Sequence, residues 1–171
     1  MNNESRYILT VLAKDKPGIV KSISDLVLGN QGSWLESGLS RLGGQFAGII
    51  SISLPEESLD NFKKGLSALV TDGITVKLQS FEADNHFEGK PAVIHLEAND
   101  RPGIIEEISS VLAENNINVE KLDSFCESAS MAGYELFKAK IKVSLPKGIG
   151  VKKLESIVET VSDDLMVSID S

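Results

Sequence analysis

Ile8-Leu9-Thr10-Val11-Leu12-Ala13-Lys14-Asp15-Lys16-Pro17-Gly18-Ile19-Val20 recurs as Val93-Ile94-His95-Leu96-Glu97-Ala98-Asn99-Asp100-Arg101-Pro102-Gly103-Ile104-Ile105, 85 positions later and without a gap. This repeat decides the fold, because each copy must then hold a complete set of elements around a core of its own. The match runs on through Ile23/Ile108, Ser24/Ser109, Leu26/Val111 and Asn30/Asn115. Further along the offset grows to 91, at Phe46/Phe137, Ile50/Ile141, Ile52/Val143, Leu54-Pro55/Leu145-Pro146 and Val76/Val167. The second copy therefore carries six extra residues, placed within Ser124 to Gly133. Two domains are expected, residues 1–81 and 92–171, joined by a polar linker over 82–91 that ends in Gly89 and Pro91.

Within each copy the hydrophobic period switches between strand and helix. Tyr7 to Ala13 is an apolar, partly β-branched run, and Ala92 to Ala98 sets Ile94 and Leu96 against His95 and Glu97. After each Pro-Gly the apolar residues fall on one helical stripe: Ile19, Ile23, Leu26 and Val27, then Ile104, Ile108, Val111 and Leu112. Stops near Gly29-Asn30 and Asn115-Asn116 end these helices. Two strands follow, Trp34 to Arg41 and Phe46 to Leu54, repeated as Asn118 to Phe125 and Glu135 to Leu145. A second amphipathic helix uses Leu59, Phe62, Leu66 and Leu69, or Leu154, Ile157, Val158 and Val161, before a last strand, Ile74 to Leu78 or Leu165 to Ile169. The order βαββαβ, twice, predicts an α+β protein of two ferredoxin-like domains, each an antiparallel sheet with both helices on one face. On the opposite face, Lys138, Lys140, Lys142 and Ser144 predict a solvated surface in the second copy. Ile8, Leu12, Ile49, Ser51 and Ser53 predict a less polar one in the first, covered in part by the other domain or a second chain.

Composition narrows the function. The chain has 171 residues, 42% hydrophobic and 25% charged, with a net charge of −8. That is too apolar for a disordered chain. No window approaches the roughly 18 uninterrupted apolar residues of a membrane span, and Met1 to Arg6 lacks the features of a secretory signal, so a cytoplasmic protein with no membrane contact is expected. The acidity argues against direct nucleic-acid binding. It is uneven: residues 1–85 hold 8 Lys and Arg against 10 Asp and Glu, residues 86–171 hold 9 against 15. One cysteine, Cys126, and two histidines, His86 and His95, give no disulfide framework and no metal site, and no cofactor is expected.

The most faithfully repeated element is the turn Asp15-Lys16-Pro17-Gly18-Ile19, or Asp100-Arg101-Pro102-Gly103-Ile104. Aspartate there can cap the following helix, proline suits its entrance, and glycine lets another backbone or a ligand approach the free N–H groups of the helix start. A merely well-capped turn explains the same residues. As a discriminator, Gly18→Val is expected to weaken ligand or partner binding more than Gly32→Val.

An Asp-x-Pro-Gly-Ile turn between an apolar strand and an amphipathic helix, in a βαββαβ unit of this size, resembles the ACT domain, a regulatory module that binds amino acids. The likeness covers nearly the whole chain, twice. A tandem pair of such units, with a longer second hairpin and the segment Gly43-Gly44-Gln45-Phe46-Ala47-Gly48, resembles the glycine cleavage system transcriptional repressor family. The resemblance implies a ligand at an interface between two units, touching Asp15, Pro17, Gly18 and Ile19, or Asp100, Pro102, Gly103 and Ile104. It further implies a homodimer and a repressor that holds a DNA-binding transcription factor inactive, with glycine or a related small amino acid setting the balance. Asn30 and Asn115 read as structural caps. The lysine stripe of 138, 140 and 142 reads as a solvated strand face, or as a contact for an acidic partner patch.

Enzyme readings fare worse. Cys126, assigned to the extra loop, and the two histidines are spread over separate elements, so no nucleophile meets a base. Glu106-Glu107 and Asp163-Asp164 are adjacent pairs that diverge on a helix, and Gly148-Ile149-Gly150 lacks the setting of a dinucleotide site. The arginine-bearing phosphate loop of acylphosphatase is absent, and no catalytic residue is expected. A regulatory subunit or sensor of an amino-acid metabolic enzyme remains the alternative.

Overall fold

The computed structural model describes residues 4–82, 89–128 and 133–171. The chain divides into two compact units, one ending at Asp84 and one starting at Asn85. The first contains β1 (Glu4–Lys14), α1 (Ile19–Gly29), β2 (Ser33–Leu42), β3 (Gln45–Pro55), α2 (Leu59–Thr71) and β4 (Ile74–Ser80). The second repeats them as β5 (Lys90–Asn99), α3 (Ile104–Glu114), β6 (Asn118–Ser128), β7 (Glu135–Leu145), α4 (Val151–Glu159) and β8 (Met166–Asp170). The sheets run β2-β3-β1-β4 and β6-β7-β5-β8 with every neighbouring pair antiparallel. This is the ferredoxin-like order that the periodicity predicts.

Each unit has its own core. Leu9, Ile23, Ile50 and Phe62 are fully buried in the first, and Ile94, Val143, Leu154 and Val158 in the second. Buried positions on α1 and α3 step by four, Ile19-Ile23-Val27 and Ile104-Ile108-Leu112, so one stripe of each helix meets the sheet, with Leu26 and Ile105 partly buried beside it. Burying each such side chain contributes about 1.5–3 kcal/mol. Among the described residues no helix is long and apolar enough to cross a membrane.

Several boundaries differ from the sequence reading. Strand β5 begins at Lys90, so Lys90 and Pro91, read as the end of the linker, pair with Leu145 and Ser144. Of the same stretch, residues 83–88, with His86, lie outside the described residues. The helices end at the expected stops, α1 at Gly29 with Asn30 as C-cap and α3 at Glu114 with Asn115 as C-cap, and a left-handed residue that is not glycine follows each, Gln31 (φ 58°) and Asn116 (φ 54°). There Gly32 and Ile117 donate back to Val27 and Leu112, closing the helix end.

The strand pairing narrows the place of the extra residues. Leu42 faces Gln45 across the tight Gly43-Gly44 turn, and Glu127 faces Leu136 at the equivalent rung. The offset of 85 therefore holds as far as Glu127, and the insertion is confined to the hairpin tip, of which residues 129–132 lie outside the described residues. Cys126 is consequently not a loop residue: it belongs to β6, at the place that Arg41 holds in β2. The edge strands β2 and β6 also carry a bulge each, between Trp34 and Glu36 and between Val119 and Lys121, that no sequence signal marked.

Candidate functional site

The repeated turn is anchored from both ends. Asp15 donates its N–H to the Gly44 carbonyl (2.9 Å), and Asp100 to Glu135 (2.8 Å), so each turn is tied to the neighbouring hairpin. The turn closes with Gly18 at φ 94° and Gly103 at φ 95°, the left-handed region where glycine has no Cβ penalty. Each glycine is the N-cap, and its carbonyl accepts the first helical bond, from Ser22 (2.9 Å) or Glu107 (3.0 Å).

This geometry corrects two roles. Neither aspartate caps its helix, since neither N-cap has a side-chain bond. The Asp15 carboxylate instead pairs with Nε of Arg41 on β2 at 2.6 Å. Proline stands one residue ahead of the N-cap rather than inside the helix, where its fixed φ aims the chain into the left-handed glycine. Ile19 and Ile104 bury their side chains in the two cores, which leaves them their backbone N–H groups for any ligand. Pro17 and Gly18 are exposed, as are Pro102 and Gly103.

The two turns differ in what surrounds them. Above Gly18 nothing lies within 4 Å of where a Cβ would be. Helix α1 has no acidic residue in its first turn, and Lys16 reaches away to the Asp72 carbonyl (2.7 Å). The start of α3 carries Glu106 and Glu107, and Glu107 Oε1 stands 3.6 Å from the Cβ position of Gly103. Arg101 grips that carboxylate with both terminal nitrogens (2.8 and 2.7 Å), and its Nε lies 3.9 Å from Asp164. The hydrogen bond from Arg101 holds the Glu107 carboxyl below its ordinary range, and the same bond raises the guanidinium. A carboxyl lowered in the folded state stabilises above its unfolded titration range and loses that contribution as pH falls through its folded value. We expect the second unit's stability to slope with pH in the range acid of a free glutamate, slightly because the pair is half exposed. Glu107→Gln should flatten that slope in denaturation profiles taken from pH 3 to 6; an unchanged slope refutes the assignment.

In the second unit the place of the Asp15–Arg41 pair is taken by Asp100 and Cys126. Partial desolvation, then the carboxylates of Asp100 and Glu135, push the thiol above its ordinary range, so at neutral pH it stays protonated and weakly nucleophilic. Cys126 aligns with inward-facing Phe137, whereas His95 aligns with outward-facing Lys140, so the two lie on opposite faces of the sheet. His95 pairs instead with Asp170 at 2.9 Å. The lysine stripe is largely neutralised: Lys138 meets Glu97 (3.4 Å) and Glu127, and Lys142 meets Glu120 (2.9 Å). Asn30 and Asn115 donate to Leu26 (2.8 Å) and Val111 (2.9 Å), closing their helices as caps do. The Asp15–Arg41 pair was not read from the sequence, and only the strand pairing that brings β2 beside the turn could have revealed it.

Comparison with known proteins agrees with this geometry. A family model for the ACT domain matches residues 5–79, and a second ACT-domain model matches residues 92–138. A crystal structure of a protein of unknown function from Galdieria sulphuraria is similar, with a TM-score of 0.86 at 20% identity over 98% of both chains. A protein provisionally assigned as a glycine cleavage system transcriptional repressor superposes with a TM-score of 0.71 at 17% identity, over 98% of this chain and 97% of that one. At such identities the likeness speaks for the fold. No curated protein matches the sequence. The two family matches together span over two thirds of the chain, and with the repeated βαββαβ unit and its Asp-x-Pro-Gly-Ile turn they show that it belongs to the ACT-domain family, as two ACT domains in tandem.

Proposed function

We propose that the chain is an amino-acid-responsive regulator that acts by contact with a DNA-binding activator, in the manner implied by its resemblance to glycine cleavage repressors. The observation that carries the sensor half is the open turn over Gly18, where nothing lies within 4 Å of a Cβ position and no acidic side chain of the helix's own first turn competes for the first N–H groups of α1. A helix start of this kind favours a carboxylate. The backbone of Gly18 and Ile19 would receive that group, Pro17 would set the approach, and Asp15, held by Arg41, would face the ligand's ammonium. The equivalent turn of Asp100, Pro102, Gly103 and Ile104 offers the same backbone, but Glu107 already stands in its approach, so the first turn is the stronger binder. The regulator half rests on the family and on the absence of a converging nucleophile and base among the described residues; we read the chain as a non-enzyme.

Thermal denaturation with glycine, serine and the branched amino acids tests the sensor. A ligand at about 100 times its Kd that binds only the folded state adds about 2.7 kcal/mol. Glycine or a close relative should give that shift and the others less; no response to any of them refutes the sensor. Co-purification from the native cell tests the partner. A DNA-binding activator is expected, and a metabolic enzyme in its place would refute the repressor reading.

A further inference from the structure

We propose that the helix-free face of the first unit's sheet is the surface on which two copies of the chain associate, a reading independent of any amino-acid ligand. The second unit supplies the contrast. On its corresponding face the register aligns Lys138, Lys140 and Lys142, and carboxylates from β5 and β6 pair with the first and last of them. Covering such ion pairs costs more in lost hydration than their attraction returns, so the middle of that face keeps its water, and its exposed apolar residues, Phe125 and Met166, stand on the edge strands. At the same three rungs of β3 the first unit has Ala47, Ile49 and Ser51. Beside them on β1, Thr10 and Leu12 stand where the second unit has His95 and Glu97. Ile49 is 55% exposed and Leu12 51%. The fold does not require this loss of charge, since the other copy folds with lysines there.

Arg6 and Lys14 lie towards the two ends of this face on β1, Arg6 over the Phe81 ring, and the charge at its lateral margins indicates a second copy as the occupant. Glu36 on edge strand β2 and Lys77 on edge strand β4 lie at opposite margins of this face, and neither has an ion-pair partner among the described residues. A two-fold axis parallel to the strands lays β2 of one copy over β4 of the other, the aligned mode of sheet packing. Glu36 shares a level with Gln79 through Ser51 and Ile8, two residues from Lys77, or about 7 Å along the strand, within reach of a lysine. Each Glu36 then meets Lys77 of the partner subunit, and the symmetry forms the pair twice. Strands of 11 residues in β1 and β3, 10 in β2 and 7 in β4, at about 3.3 Å per residue and about 4.8 Å between strands, give a face of about 620 Å². That is about three quarters of the roughly 800 Å² per partner of a standard interface.

Sedimentation of the full chain between about 5 and 100 μM tests this. The wild type should sediment as a dimer. Ile49→Lys, which installs the residue found at the matching rung in Lys140, should keep the circular dichroism spectrum and raise the dimer dissociation constant at least 30-fold. Glu36→Lys and Lys77→Glu should each weaken it about tenfold, and the double exchange should restore it, while Lys140→Ser changes nothing. A monomeric wild type overturns the proposal, including the case where hydrogen exchange finds Ile49 protected because the second unit covers it. So does a dimer indifferent to Ile49→Lys, or a double exchange that fails to restore it.

Discussion

Phe62→Ala should lower the stability of the first unit by about 3–5 kcal/mol while the second unit unfolds as before. Phe62 is fully buried on α2, at the centre of a core that includes Leu9, Ile23 and Ile50, and truncation removes its transfer free energy and leaves a cavity. For a domain of this size the loss corresponds to a fall of roughly 15–30 °C in Tm. The chain reports on itself: its one tryptophan, Trp34, packs against that core. Denaturant unfolding followed by Trp34 fluorescence should shift to a lower midpoint in Phe62→Ala. Leu154→Ala, in the separate second core, should cost about 2–5 kcal/mol in circular dichroism yet leave the Trp34 transition in place. Equal movement of the Trp34 transition in both variants would show the two cores to be one cooperative unit.

Gly32→Val should be more damaging to the fold than Gly18→Val, which reverses the use of that pair as a binding test. A Cβ on Gly32 would lie 2.5 Å from Leu54 Cδ2 and 2.7 Å from the Ser53 carbonyl oxygen. A backbone carbonyl paired in a sheet cannot retreat, so overpacking should reach or exceed the upper end of its usual range of about 1–3 kcal/mol. Gly18 meets nothing, and a side chain there costs the strain of a positive φ, on the order of 1–2 kcal/mol. Loss of binding in Gly32→Val would therefore report unfolding. Gly29, with open space and an ordinary φ, is the sound reference: Gly29→Ala should hold or raise stability and leave any ligand response intact. If Gly18→Val responds to ligand as Gly29→Ala does, the first turn is structural only.

Most of the fold was legible because its signals are local. The stripe Ile19-Ile23-Val27 and the alternation from Phe137 to Leu145 each lie within one element, and duplication repeats every signal, so a weak reading in one copy is checked by the other. The ends of elements were less legible. Gly29 and Asn30 do end α1, but the left-handed residue that closes it is Gln31, which no sequence signal marked, because backbone donation from Gly32 to Val27 decides the closure.

The sequence by itself determined that there are two copies of one βαββαβ unit, which faces of their helices are buried, and where the glycine turns lie. All of these depend on the spacing of residues a few positions apart. What only the tertiary structure decided is how those turns differ. Asp15 engages Arg41 from another strand instead of its own helix, Arg101 and Glu107 close over Gly103, and Gly18 stays open. Such contacts depend on strand order and on the left-handed turn, which put residues distant in the chain within 3 Å and carry neighbours in the chain out of reach.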